Sequence, residues 1–206
     1  MRLRRMPQGS VYYQRFIELA EHILEANLVL AELSGIPVDQ RRDAVARMES
    51  ICDAADDTVG SIVRIMRENY LTPLDREDMY ALADSLRETC YRLNAMGFAM
   101  SSSAFDELPP GLLEMLALLS TESDQTLRMT KRLRPKTDQW EYVVTIDQLH
   151  RRAVSLQQKV SDAVPAARRG LLYLAAATQV SEAFIATSMS FKDVERVVAR
   201  IALKES

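Results

Sequence analysis

Apolar positions along this chain recur at the spacing of helix faces, with no stretch of strand-like alternation. Phe16, Leu19, Ala20, Ile23, Leu30 and Leu33 fall at offsets 0, 3, 4, 7, 14 and 17, the stripe that one side of a helix presents to a core. With Gly35 and Pro37 as the stop, they predict a first helix over about 10–34. From Asp39 the chain runs to Asn69 without proline, carrying Val45, Met48, Cys52, Ala55, Val59, Ile62, Val63 and Met66 at the same period, which predicts a second helix of about 30 residues. Thr72-Pro73-Leu74-Asp75 reads as the next start: threonine caps, proline suits the first helical position and the aspartate returns a bond to the cap. Helix three then runs to about Ala99.

Ser101-Ser102-Ser103 and Pro109-Pro110 make the one clear break in composition, near the midpoint. Beyond it, helix four is predicted from about Pro110 to Leu133, helix five over about 138–163, and helix six from Pro165, closing on the stripe Val194, Val197, Val198 and Ile201. Six long helices in two triplets follow, an all-α fold with boundaries at 1–103 and 104–206. Composition agrees: 206 residues contain 49 Leu plus Ala against 24 Val plus Ile, with only 6 Gly and 7 Pro.

Charge narrows the function classes. Lys plus Arg number 26 and Asp plus Glu 29, so there is no basic field to hold nucleic-acid phosphates. Cys52 and Cys90 lie 38 positions apart, outside any CxxC pattern, which points to a reducing cytoplasm and neither a disulfide framework nor a zinc site. No run of about 18 apolar residues suggests a membrane span, and the basic start leads into Gln8, Gly9 and Ser10 instead of a signal-peptide core.

The segment Tyr70-Leu-Thr-Pro-Leu-Asp-Arg-Glu-Asp-Met79 resembles the signature turn of the PhoU-like phosphate-transport regulators, in the branch called Pit accessory proteins. The opening Arg15-Phe-Ile-Glu-Leu-Ala-Glu-His and the close Lys192-Asp-Val-Glu-Arg-Val-Val-Ala-Arg-Ile-Ala-Leu-Lys204 are similar to that family's first and last helices. The resemblance spans the chain and is densest in the first half. It implies two tandem three-helix bundles in one compact domain, and a cytoplasmic, non-enzymatic regulatory or accessory role in inorganic phosphate transport. The partner implied is a phosphate transporter at the cytoplasmic membrane face, or its associated proteins. In relatives, paired acidic motifs carry metal.

Carboxylates four apart share a helix face, and two such helices side by side can offer several oxygens to a cation. Aligned on the turn, the family pattern expects acids at 52, 56, 87, 88 and 91; this chain has Cys52, Asp56, Arg87, Glu88 and Tyr91. Aligned on Leu149 and Lys204, the second half should carry acids at 150, 154, 185 and 189, yet has His150, Val154, Ile185 and Met189. Asp56 lies 16 residues before Thr72 and Glu88 lies 15 after Pro73, so counting from an antiparallel turn predicts that they approach and that a single divalent ion is the most they could share. A shifted set exists in Glu49, Asp53 and Asp56 with Asp84 and Glu88, but equal shifts on antiparallel helices separate the pairs by about 9 Å. No multi-metal cluster is expected. Two readings of Arg87 stand side by side: a permanent cation paired with Asp53 or Asp56 in place of the metal, or a side chain on a solvated face.

The remaining candidates read as structure. Cys52 sits within a Val, Ile and Met stripe and is expected to pack, and ten scattered Met residues fill gaps. His150, followed by Arg151 and Arg152, reads as a bonded or exposed polar residue more readily than as a phosphate or metal ligand. A di-iron oxidase needs Glu-x-x-His on two helices, whereas Asp147-Gln-Leu-His150 occurs once. No nucleophile-and-base pattern appears. Arg2, Arg4 and Arg5 could touch an anionic membrane surface in passing. Function therefore rests on docking, with a metal-free helical scaffold for a partner unrelated to phosphate as the alternative, and self-association compatible with either.

Overall fold

The computed structural model describes residues 8–105, 107–166 and 169–205. Six helices account for most of them: α1 (Gln8–Leu33), α2 (Arg41–Glu68), α3 (Arg76–Met100), α4 (Leu112–Arg132), α5 (Trp140–Ala166) and α6 (Leu171–Glu205). A single 3-10 turn, Val38–Gln40, leads into α2, and the described residues contain no β-sheet. The fold is all-α, as the apolar stripes require. Arg2, Arg4 and Arg5 lie outside the described residues.

Within each consecutive triplet every helix packs on the other two, and two further contacts, α3 along α6 and α1 along α4, join the triplets. Phe16, Leu19, Ile23, Met48, Ile62, Leu82, Leu119, Phe184 and Phe191 therefore belong to one continuous buried cluster. At the end of the molecule holding the α2–α3 turn, Asp78 is almost fully buried and pairs with Arg200 Nε at 2.6 Å and Lys204 Nζ at 2.7 Å. Such a carboxylate needs its partners, because burying it unpaired would cost several kcal/mol. At the opposite end the buried Arg41 guanidinium donates to the carbonyls of Ile36 and Met100, both at 3.3 Å, closing the ends of two connections with one side chain.

Two boundaries depart from the sequence reading. Helix three begins at Arg76, and its cap is Asp75, whose Oδ1 accepts from the amides of Glu77 and Asp78 at 2.9 and 3.4 Å. The Thr72 hydroxyl is spent locally, donating to the Leu74 carbonyl at 2.8 Å, so Pro73 shapes the turn and not the first helical position. Pro165 does not open helix six either; it lies in the last turn of α5. There its missing amide hydrogen removes one bond near an exposed helix end, and α6 starts after Gly170, whose carbonyl accepts from the Leu174 amide at 3.1 Å.

The entry to α4 depends on Gly111, which caps the helix at φ +81°, and a Cβ at this position would lie 2.6 Å from Val160 Cγ2 on α5. Gly111→Ala is expected to lower stability by about 2 kcal/mol or more, the left-handed backbone and the clash adding together. Chemical denaturation checks this, and an unchanged midpoint would show that the entry to α4 relaxes freely.

Candidate functional site

The acidic positions of α2 and α3 form a network built around an arginine. Arg87 Nη2 donates to Asp84 Oδ1 at 2.6 Å, one turn back on α3, and Nη1 donates across the helix contact to Asp56 Oδ1 at 3.4 Å. Tyr91, the next turn along the same face, donates its hydroxyl to Asp56 Oδ2 at 2.6 Å. That bond, aided by burial, pushes the Tyr91 phenol up to about 12, so it stays a donor at any physiological pH. Both oxygens of Asp56 are thus engaged, one by a guanidinium and one by a phenol hydroxyl.

On α3 it is Arg87 and Tyr91, and not Glu88, that bond Asp56. Successive helical residues point about 100° apart, so when positions 87 and 91 face α2, position 88 faces elsewhere. Glu88 pairs with Arg92 on its own helix at 2.7 Å. Glu49 and Asp53 are exposed and make no ion pair among the described residues. Their charge is still felt: burial first, then Asp56, Asp53 and Glu49, push the Cys52 thiol up to about 11. Cys90 is raised further, chiefly by burial. Both cysteines are free and buried, and both pack. No group of three or more His, Cys, Asp or Glu among the described residues is arranged to hold a metal ion.

The second triplet carries a polar layer that the sequence reading passed over. Glu122 on α4 is fully buried, and its Oε1 lies 2.8 Å from the hydroxyl of Ser188 on α6, which in turn lies 3.0 Å from His150 Nδ1 on α5. Burial raises the Glu122 carboxyl to about 8, against the opposing effect of the Ser188 bond. Burial also lowers His150, with Lys192 adding to the effect. Both shifts favour the uncharged form of the group. The Ser188 hydroxyl donates to Glu122 Oε1, which leaves its oxygen to accept from His150 Nδ1–H. The other oxygen, Oε2, has no hydrogen-bond partner, which is tolerable for a neutral acid and severe for a carboxylate.

Around this triad, Thr126 and Tyr142 share a buried hydroxyl pair at 3.1 Å, and burial, with Glu122 and Glu195, raises the Tyr142 phenol. Lys192 Nζ joins Asp147 at 2.7 Å to Glu195 at 2.8 Å. Ser188 has no access to solvent, and the carboxyl bonds to the serine and not to the histidine, so this is not a nucleophile relay. His150 is accordingly a bonded histidine. A signal for Glu122 did exist: it continues the buried stripe Met115, Leu118, Leu119, Thr126, Met129 of α4, a carboxylate within an otherwise inward-facing row.

No helix among the described residues is long and apolar enough to cross a membrane. Neither models of known protein families nor curated proteins match the chain.

The Glu122 carboxyl has a direct consequence for stability. Its folded pKa lies above the ordinary value of 4.5, so the unfolded chain sheds this proton first and stability falls as pH rises from about 4.5 to about 8. Glu122→Gln removes that dependence. The variant is expected near parity with the parent at pH 5 and more stable by on the order of 3 kcal/mol at pH 8, read from denaturation midpoints at both. A difference independent of pH would show that Glu122 is already ionised in the folded chain.

Proposed function

We propose that this chain is a non-enzymatic regulatory or accessory protein of inorganic phosphate transport, working in the cytoplasm by contact with a phosphate transporter or its associated proteins. On this reading its six helices are two tandem three-helix bundles of the PhoU-like kind. Support comes from the resemblance of the 70–79 turn and of the first and last helices, together with six helices in the matching order. The observation that carries the proposal is the Asp56–Arg87–Asp84 bridge with Tyr91 on the remaining Asp56 oxygen. It occupies the position where the family pattern aligns its acidic metal motif. A guanidinium cannot dissociate or exchange as a metal ion can, so the protein acts by presenting a surface.

A second reading, a metal-free helical scaffold serving a partner unrelated to phosphate, is favoured by the replacement of every aligned acid in the second half, as at His150 and Met189. Deleting the gene and following uptake of labelled phosphate separates the two. Altered uptake, with the transporter or its regulators co-purifying, supports the first; normal uptake with an unrelated bound protein supports the second.

The arginine bridge is checked by elemental analysis of protein purified without chelator. Iron, zinc and manganese are expected well below stoichiometric, and a near-stoichiometric amount of any of them would overturn the reading of Arg87. Arg87→Met should cost under about 1 kcal/mol, since the bridge is more than one-third exposed and screened by solvent.

A further inference from the structure

An open groove of ≈ 560 Å³ runs along the outside of the α3–α6 contact. Its lining repeats one pattern on two neighbouring helices: Tyr91, Asn94, Ala95 and Phe98 on α3, and Gln179, Glu182, Ala183 and Ala186 on α6. Each set falls at i, i+3, i+4 and i+7, the stripe by which a helix packs on another helix. The two helices run antiparallel, since Asp78 meets Arg200 and the Thr187 hydroxyl donates to the Arg92 carbonyl. The stripes therefore lie alongside each other for about two turns, and the small side chains at 95, 183 and 186 let a third backbone come close.

Three further observations say what belongs there. Phe98 is 64% exposed and Tyr91 38% exposed, so the groove leaves aromatic surface uncovered. Asn94 Oδ1 is buried and has no hydrogen-bond partner, an acceptor waiting for a donor. The rims are of one sign: Glu49 on α2 and Glu182 on α6 line the groove, no Lys or Arg does, and neither glutamate is paired among the described residues. Asp53, one turn beyond Glu49, extends the acidic edge.

We propose that this groove receives an amphipathic helix of a partner protein, apolar along one face and lined with Lys and Arg at its edges. The occupant packs its i, i+3, i+4, i+7 anchors between α3 and α6, while its basic flanks meet Glu49 and Glu182. The unpaired acids of α2 then serve partner recognition instead of metal binding. The inference rests on the docking reading of function, and not on phosphate as the process served.

The test uses the full chain and a labelled 18-residue synthetic helix with Leu and Ala on one face and Lys and Arg beside it. Two controls accompany it: the same helix with Glu at each basic position, and a scrambled peptide of the same composition without an apolar face. By fluorescence anisotropy at physiological salt, the basic helix is expected to bind at least tenfold tighter than either control. Glu49→Lys combined with Glu182→Lys, both on the surface, should weaken it tenfold or more and favour the acidic helix. Phe98→Ala should weaken both helices. Equal binding of all three peptides, or basic-helix binding indifferent to the reversed rims, overturns the proposal. So does a concentration-dependent dimer in sedimentation that Phe98→Ala abolishes, because the groove is then filled by a second copy. Phosphate uptake in cells carrying the reversed rims keeps the two claims apart: lost helix binding with unchanged uptake upholds the groove and removes phosphate from the account.

Discussion

The seating of α3 along α6 is the contact on which the rest of this architecture depends. These helices belong to different halves of the chain, yet they make the most extensive pairing in the molecule. They are pinned at one end by Asp78 against Arg200 and Lys204, and near the middle by Thr187 on the Arg92 carbonyl. Apolar packing alone sets a helix pair's separation and leaves its register poorly defined; directional polar contacts at two heights define it. With that register set, the inward face of α3 builds the core, Arg87 and the Tyr91 hydroxyl reach α2, and the outward stripe that begins at Tyr91 is aligned with its counterpart on α6.

The two triplets share a helix order but differ in what they bury. The first buries Cys52, Cys90, Met48 and Met96 among its aliphatic side chains and keeps its buried charges, Arg41 and Asp78, at its two ends. The second places Glu122, Ser123, Thr126, Thr130, Ser181 and Ser188 out of solvent. Three of these hydroxyls satisfy themselves on their own helix, Ser123 and Thr126 by bonding to the carbonyl four residues back and Thr130 to the one three back, which removes the main cost of burying them. Glu122 cannot do this, and burial favours its protonated form instead. A carboxyl, a serine and a histidine at one level define how α4, α5 and α6 meet more narrowly than leucines would.

Much of this was legible in the residues, and the misses share a physical cause. Apolar spacing located the first, second and last helices, because a stripe such as Phe16–Leu19–Ile23–Leu30 has only one way to be buried, and proline and turn residues delimited the other three. Ends were harder. Thr72 and Asp75 are both competent caps, and the choice turned on a local bond from Thr72 to the Leu74 carbonyl that no pattern announces. Pro165 was read as a start, yet an exposed final turn tolerates it. Counting from the turn placed Asp56 at the right height on α3 but not at the right angle, since a shift of one residue swaps Glu88 for Arg87. Glu122 belongs to no metal or catalytic spacing and is a single acid in an otherwise apolar row.

The sulfur atoms carry a last implication. Cys52 and Cys90 sit on the facing sides of α2 and α3, protonated and shielded. An oxidant or an alkylating reagent meets no thiolate in the closed molecule. The rate at which a thiol reagent consumes them is therefore a clock for how often these two helices separate, and it needs no label beyond the native side chains.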